Sequence, residues 1–298
     1  MTSPSSLDAG AVASTATAPG ASRSSTGNGA GGKGRGRKQS RLFELRGTLP
    51  SSWRWGLGAL GLLAVLALWL WAASRNTETV LVPTPAETWS ALMDQWHNGN
   101  LWRDFKASTG RIFYGYSISM VIGIVLGIAI GSLMSVEGTF EAPIAFLRYV
   151  PATALTPLLL IWMGIDEAPK ITLIVLGTVF FNILMVADVA RNVPREMIEA
   201  SYTLGARRRT VLRRVVLRHS VPGIIDVARI NLAAGWLVLV AAELLAAKEG
   251  LAVRIIRAQR FRQVDTMFAM LIVIGTIGVV SDLALRWLRN ASSPWARP

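Results

Sequence analysis

The sequence predicts an all-α integral membrane protein with six transmembrane helices. Three observations carry that prediction. Hydrophobic residues make up 52% of the 298 positions and charged residues only 16%, against roughly 25% charged in an ordinary globular domain. Mean hydropathy is +0.42. The missing charge is concentrated in long apolar runs, and a membrane helix needs about 20 mainly apolar residues in succession.

Those runs place the spans at about 55–73, 112–136, 144–165, 171–190, 221–247 and 266–288. The first two carry no charge. The third has Arg148 near its start and Pro151 and Pro157 inside it, the fourth ends on Asp188, and the fifth contains Asp226, Arg229 and Glu243. Six crossings put both termini on one side. Before them, residues 1–50 read as a disordered basic cytoplasmic tail, because the first 40 are mostly Ser, Thr, Ala and Gly with a Lys/Arg-rich end. The division is therefore a tail, 1–50, and a membrane domain, 51–298.

The net charge of +13 is unevenly spread. Residues 1–54 and 191–220 each carry a net +6, whereas 55–190 carry −3. Lys and Arg concentrate on the cytoplasmic side of membrane proteins, so both +6 blocks, and with them the N- and C-termini, are expected in the cytoplasm. Residues 247–265, at +3, then fall outside, against the rule.

Several chemistries are excluded. With no cysteine there is no disulfide, no thiolate metal site and no thiol nucleophile. His97 and His219 have no metal-ligand spacing, so no metal site is expected. A phosphate-loop-like run from Gly27 to Lys33 lacks the following Ser or Thr and a strand–helix context. The basic tail suits anionic lipid better than nucleic acid.

Two patterns suggest packing and projection. Gly115, Ser119, Gly123, Gly127 and Gly131 recur every fourth residue, a small-residue stripe that lets a second helix approach closely. After Pro194, apolar residues at helical spacing (Ile198 and Tyr202, then Val211, Leu212, Val215 and Val216) describe two short amphipathic helices meeting at Gly205. Physics alone allows either a projecting helical hairpin or a solvated basic loop.

Here the residues carry a resemblance. Glu199-Ala200-Ser201, Gly205 six residues after the glutamate, and Val215 with Leu217 resemble the EAA loop of binding-protein-dependent ABC importer permeases. Ser201 stands where that loop usually has Ala, and Arg218 where it usually has Pro. Pro83-Thr84-Pro85, the run from Phe146 to Pro151, the run from Pro157 to Ile165, Glu167-Ala168-Pro169-Lys170 and Ala242-Glu243-Leu244-Leu245 are similar to the nitrate, sulfonate and taurine branch. The resemblance covers about 83–287. It implies a type I importer permease of MetI-like architecture with cytoplasmic coupling helices in 194–217, where Glu199, Ala200, Ser201, Leu204, Gly205 and Ala206 meet the ATPase.

The resemblance further implies a multi-pass protein of the plasma (inner) membrane that is not itself an enzyme and binds no cofactor, ATP and Mg²⁺ being held by a cytosolic ABC ATPase dimer. Its other implied partners are an extracytoplasmic solute-binding protein and a second permease copy, with nitrate, an alkanesulfonate or taurine as the solute. Readings from other classes are a secondary transporter, which would need intramembrane ion-coordinating groups and often two similar halves, and a membrane scaffold without an ATPase.

Intramembrane charges are functional candidates by default. Glu243 reads as a pathway or gate residue, with a salt bridge or helix-end position as the structural alternative. Arg148, Asp188, Asp226 and Arg229 are expected near cytoplasmic ends, snorkelling or ion-paired. Arg254, Arg257 and Arg260, spaced by three, could share a face that attracts an anionic solute or an acidic binding protein, or could simply be solvated.

Overall fold

A computed structural model describes residues 51–75 and 82–293; the tail expected at 1–50 lies outside them. The described residues are helical almost throughout, with no strand. The chain divides into compact units of residues 1–59 and 60–298. The described part of the first is the opening turns of α1 (Ser51–Arg75).

The second unit contains the remainder of α1 and then α2 (Pro85–His97), α3 (Asn100–Ser132), α4 (Met134–Leu147), a 3-10 turn (Ala152–Leu155) and α5 (Thr156–Met163). These are followed by α6 (Glu167–Arg191), α7 (Arg195–Thr203), α8 (Arg208–Val211), a π segment (Leu212–Val216), α9 (Leu217–Ala246), α10 (Leu251–Arg260) and α11 (Val264–Ser292). α2 opens on a capping box in which Glu87 N–H donates to Thr84 Oγ1 at 3.2 Å and Thr84 N–H to Glu87 Oε2 at 2.8 Å, with Pro85 in the first turn.

The small-residue stripe of α3 seats directly on α6. A Cβ built on Gly115 would meet Ile174, one on Gly123 would meet Asn182, one on Gly127 Val186, and one on Gly131 Ala190. Between them, Thr178 Oγ1 donates to Ser119 Oγ at 2.8 Å. Every one of these pairs is 59 positions apart in sequence, so the two helices run parallel over about 24 Å at 1.5 Å per residue. The stripe exists because only residues with minimal side chains allow this approach.

The parallel pairing decides how many times the chain crosses. α3 and α6 point the same way, so the residues between them must carry the chain back over the full depth of the pair. α4 and α5 do so as one broken span, bent by 79°. Five continuous helices long and apolar enough to cross, plus this bent pair, make six. α9 then runs antiparallel to both: its Gly223 abuts Val189, Tyr116 OH donates to Ala228 O at 2.7 Å, and Glu243 meets Ser108. α11 returns beside α9, pairing Arg229 with Asp282 and Asp226 with Arg289. Residue 292 is therefore at the same end as α7, and α10 is at the opposite end.

Three expected boundaries are corrected. The second span starts at Asn100, not 112, because Asp104, Ser108 and Arg111 in its first three turns are buried against other helices. The third is not one helix over 144–165. Its first half begins at Met134, and the chain bends at residues 148–151, where Pro151 lacks an N–H to continue the ladder. The second short amphipathic helix after Gly205 is not separate, since α8 passes through the π segment into α9, giving a span from Arg208 to Leu244.

The core lies between α3, α6 and α9, where Tyr116, Ile174, Val186, Trp236 and Leu239 pack together. Through it runs a polar ladder. Asn182 Nδ2 donates to Ser119 Oγ and Asn231 Nδ2 to Asn182 Oδ1, both at 2.8 Å, which fixes the mutual rotation of the three helices.

Candidate functional site

At one end of the bundle, α7 stops in a Schellman motif. Gly205 N–H donates to Tyr202 O at 2.9 Å and Ala206 N–H to Ser201 O at 3.0 Å, closing the last turn. Gly205 takes φ +77°, which a residue with a side chain adopts only under strain, and a Cβ there would point into open space. Leu204, at the bend, is 88% exposed. Glu199, Ala200, Ser201 and Ala206 surround it: Glu199 and Ala200 are exposed, and Ser201 Oγ returns to Met197 O at 2.7 Å. α7 is moored by Ile198 against Val193 and Val216. Ile198 and Tyr202 also line a cleft of about 390 Å³ shared with Glu137, Arg191 and Arg208. The sequence-predicted hairpin thus presents a bare leucine on a rigid bend.

The opposite end is a closed polar knot. Glu243 is 1% exposed. Its Oε1 accepts from Ser108 Oγ at 2.6 Å and from Arg111 Nη1 at 2.8 Å, and its Oε2 from Ala252 N–H at 3.0 Å. Arg111 also forks onto Glu167, at 2.5 and 2.9 Å, and donates to Glu249 O at 2.7 Å. Lys170 completes the pair with Glu167 at 2.8 Å. Beside them, Asp104 accepts from Gly250 N–H at 3.0 Å and from Arg254 at 2.7 Å. Gly250 has φ +144°, and a Cβ there would overlap the Glu243 carboxylate, so glycine is required on both counts. Glu243 and Arg111 together therefore tie α3, α6, α9 and α10.

The arginines grouped by sequence spacing separate. Arg254 turns inward to Asp104, Arg257 is exposed and donates to Lys248 O, and Arg260 is exposed. The sequence reading missed Asp104, Ser108, Arg111, Glu167 and Lys170. A signal existed: positions 104, 108 and 111 continue the stripe that begins at Gly115.

Of the other intramembrane charges, Asp188 pairs with Arg191 at 2.9 Å, and Arg229 pairs with Asp226 at 3.2 Å and Asp282 at 2.5 Å. Arg148 departs from expectation. It caps the C-terminus of α4, at the break between α4 and α5 and halfway along the crossing, not at an end of the crossing.

Comparisons with known proteins agree with this architecture. Residues 119–293 match the family described as binding-protein-dependent transport system inner membrane component. The taurine transport system permease protein TauC of Escherichia coli (strain K12) is 35% identical over 256 residues, covering 82% of this chain and 93% of that one. SsuC of the same organism, a permease protein named for aliphatic sulfonates transport, is 30% identical over 234 residues, covering 78% and 89%. Among solved structures, the inward-facing MetNI methionine ABC transporter aligns with a TM-score of 0.56 at 20% identity, over 70% of this chain and 99% of that one, a likeness of fold. The chain belongs to the binding-protein-dependent transport system inner membrane components and is a multi-pass permease subunit of an ABC importer.

Proposed function

We propose that this permease carries a small oxyanion-bearing solute of the alkanesulfonate class, taurine included, inward across the plasma membrane. The Gly205 bend is the observation that supports its coupling role. A leucine held 88% exposed on a rigid turn, at the end of the bundle where α7 projects, suits insertion into a cleft of a partner protein. Glu199, Ala200, Ser201, Leu204, Gly205 and Ala206 form the contact with a cytosolic ATPase dimer, which holds the ATP and Mg²⁺. Two copies of this chain enclose the solute path, and a binding protein delivers solute to the opposite end. The positive-inside rule orients the 191–218 end and residue 292 toward the cytoplasm. The excess charge at 247–265 is reduced because Arg254 is neutralised by Asp104, a carboxylate from outside the segment.

In this reading Glu243 is a structural pin. Both its oxygens accept from neighbouring helices and the residue is 1% exposed, which closes it off from a passing solute. The test is growth of a deletion strain on taurine, on an alkanesulfonate as sole sulfur source, and on nitrate as sole nitrogen source. A defect on the sulfonates, rescued by the intact gene but not by Gly205→Asp, is expected. Growth unaltered on all three, with no ATPase co-purifying, contradicts the proposal.

A further inference from the structure

Arg148 lies at the break of the bent span and pairs with no carboxylate among the described residues. Its depth follows from its neighbours. Ile144, on one side, packs with Val179 and Ile183, and Ala152, on the other, lies against Gly177. Arg148 is thus level with residues 177–183 of α6, whose midpoint is residue 179, and roughly 17–20 Å from either end of that helix at 1.5 Å per residue. This is the midpoint of a helix long and apolar enough to cross the membrane.

Its surroundings are unusual for that depth. Arg229, also well inside the bundle, has two carboxylates, Asp226 and Asp282. Arg148 has no carboxylate within 4.0 Å among the described residues; its guanidinium donates to Tyr149 OH at 2.9 Å and lies 4.9 Å over the same ring. Tyr149 is 73% exposed and Arg148 half-buried, so both face out of the bundle. An uncompensated arginine directed into hydrocarbon at mid-depth is costly enough to be rare. Breaks in membrane helices at this depth are tolerated where they are buried in protein or line a water-filled path, and the exposed Tyr149 side of this break is not buried within the chain.

We propose that Arg148, oriented by Tyr149, is the mid-membrane contact for the transported oxyanion. The guanidinium fork matches two oxygens of a sulfonate or comparable oxyanion, and a single favourable charge at the midpoint lowers the barrier to an anion without trapping it. The bend exists to hold this group at mid-depth, where an unbroken helix would continue its backbone ladder. This inference rests on the oxyanion reading above and names the residue that serves it.

The test uses the assembled importer with its ATPase and binding protein in proteoliposomes, with taurine, ethanesulfonate and nitrate as probes. Arg148→Gln should raise the half-saturating concentration or lower the uptake of the transported probe at least about tenfold, as expected for loss of a charge-assisted bond. Arg148→Lys should recover part of it, and subunit recovery should not change. Because the chain has no cysteine, Arg148→Cys can be followed separately. A sulfonate-bearing methanethiosulfonate reagent should modify it, more slowly with solute present, and should leave Leu63→Cys on α1 untouched. Unchanged uptake by Arg148→Gln, or an Arg148→Cys variant as unreactive as Leu63→Cys, overturns the assignment while sparing the oxyanion reading. A wild-type importer that moves none of the three probes overturns both.

Discussion

The two ends of the bundle are built on opposite terms. At the Glu243 end every buried charge finds its partner within the chain, in a knot of Arg111, Glu167, Lys170, Asp104 and Arg254 closed by backbone N–H groups of 250–252. At the Gly205 end Leu204 is left bare, and Met197 and Tyr202 are 43% and 48% exposed. Membrane helices gain little from hydrophobic burial against one another, because lipid is as apolar as leucine. The knot therefore holds the helices at one end, and the surface left open at the other remains available to a partner. What distinguishes a pin from an interface is whether the residue's needs are met inside the chain.

Substitutions can break that comparison. The largest loss of stability is expected for Glu243→Ala, which takes from Arg111 one of its two carboxylates and leaves the buried Ser108 Oγ and Ala252 N–H without their acceptor; each buried donor left unsatisfied costs about 1–3 kcal/mol, read as a drop in the unfolding midpoint of the solubilised protein. A variant as stable as the parent would mean the knot holds nothing. Next is Gly127→Ala, whose Cβ would lie 2.7 Å from Ile183 O and Val186 Cβ. Overpacking of this kind costs about 1–3 kcal/mol, whereas Gly138→Ala, with nothing within 4 Å, should be silent.

Arg254→Gln sharpens the contrast within α10. It leaves Asp104, 2% exposed, without its cation, a loss of about 1–3 kcal/mol, while Arg260→Gln should change stability by less than about 0.5 kcal/mol. Equal effects would return the three arginines to a single solvated face. The smallest effect on stability belongs to Leu204→Asp, again within about 0.5 kcal/mol, yet this variant should lose the co-purifying ATPase. A destabilised variant that kept its ATPase would reverse the assignment of the two ends.

Much of this was legible in the residues. The stripe from Gly115 to Gly131 announced a close helix contact, and Gly205 announced the bend, because each depends on a side chain being absent. The start of α3 was not legible by hydropathy. Asp104, Ser108 and Arg111 look like a solvated stretch until α9 and α10 supply their partners from about 140 positions away. The bend at 148–151 was hidden for the opposite reason, since the apolar run continues through it and an average over composition is blind to direction. Arg148 was accordingly placed near an end when its packing puts it at the middle. Even the sixth crossing follows from a relation between two helices rather than from the apolar content of either piece.

The 59-residue spacing of the parallel pair also sets a timetable for biogenesis. At synthesis rates of about 5–20 residues per second, α3 leaves the ribosome roughly 3–12 s before the stretch of α6 that covers it. Arg111 waits longer still, because Glu243 follows 132 positions later, roughly 7–26 s at the same rates. Until α6 brings Glu167, 56 positions after Arg111, a glycine-grooved helix carrying an unpaired arginine is in the membrane without its neighbours. The nascent chain must be sheltered by the insertion machinery until its second half arrives.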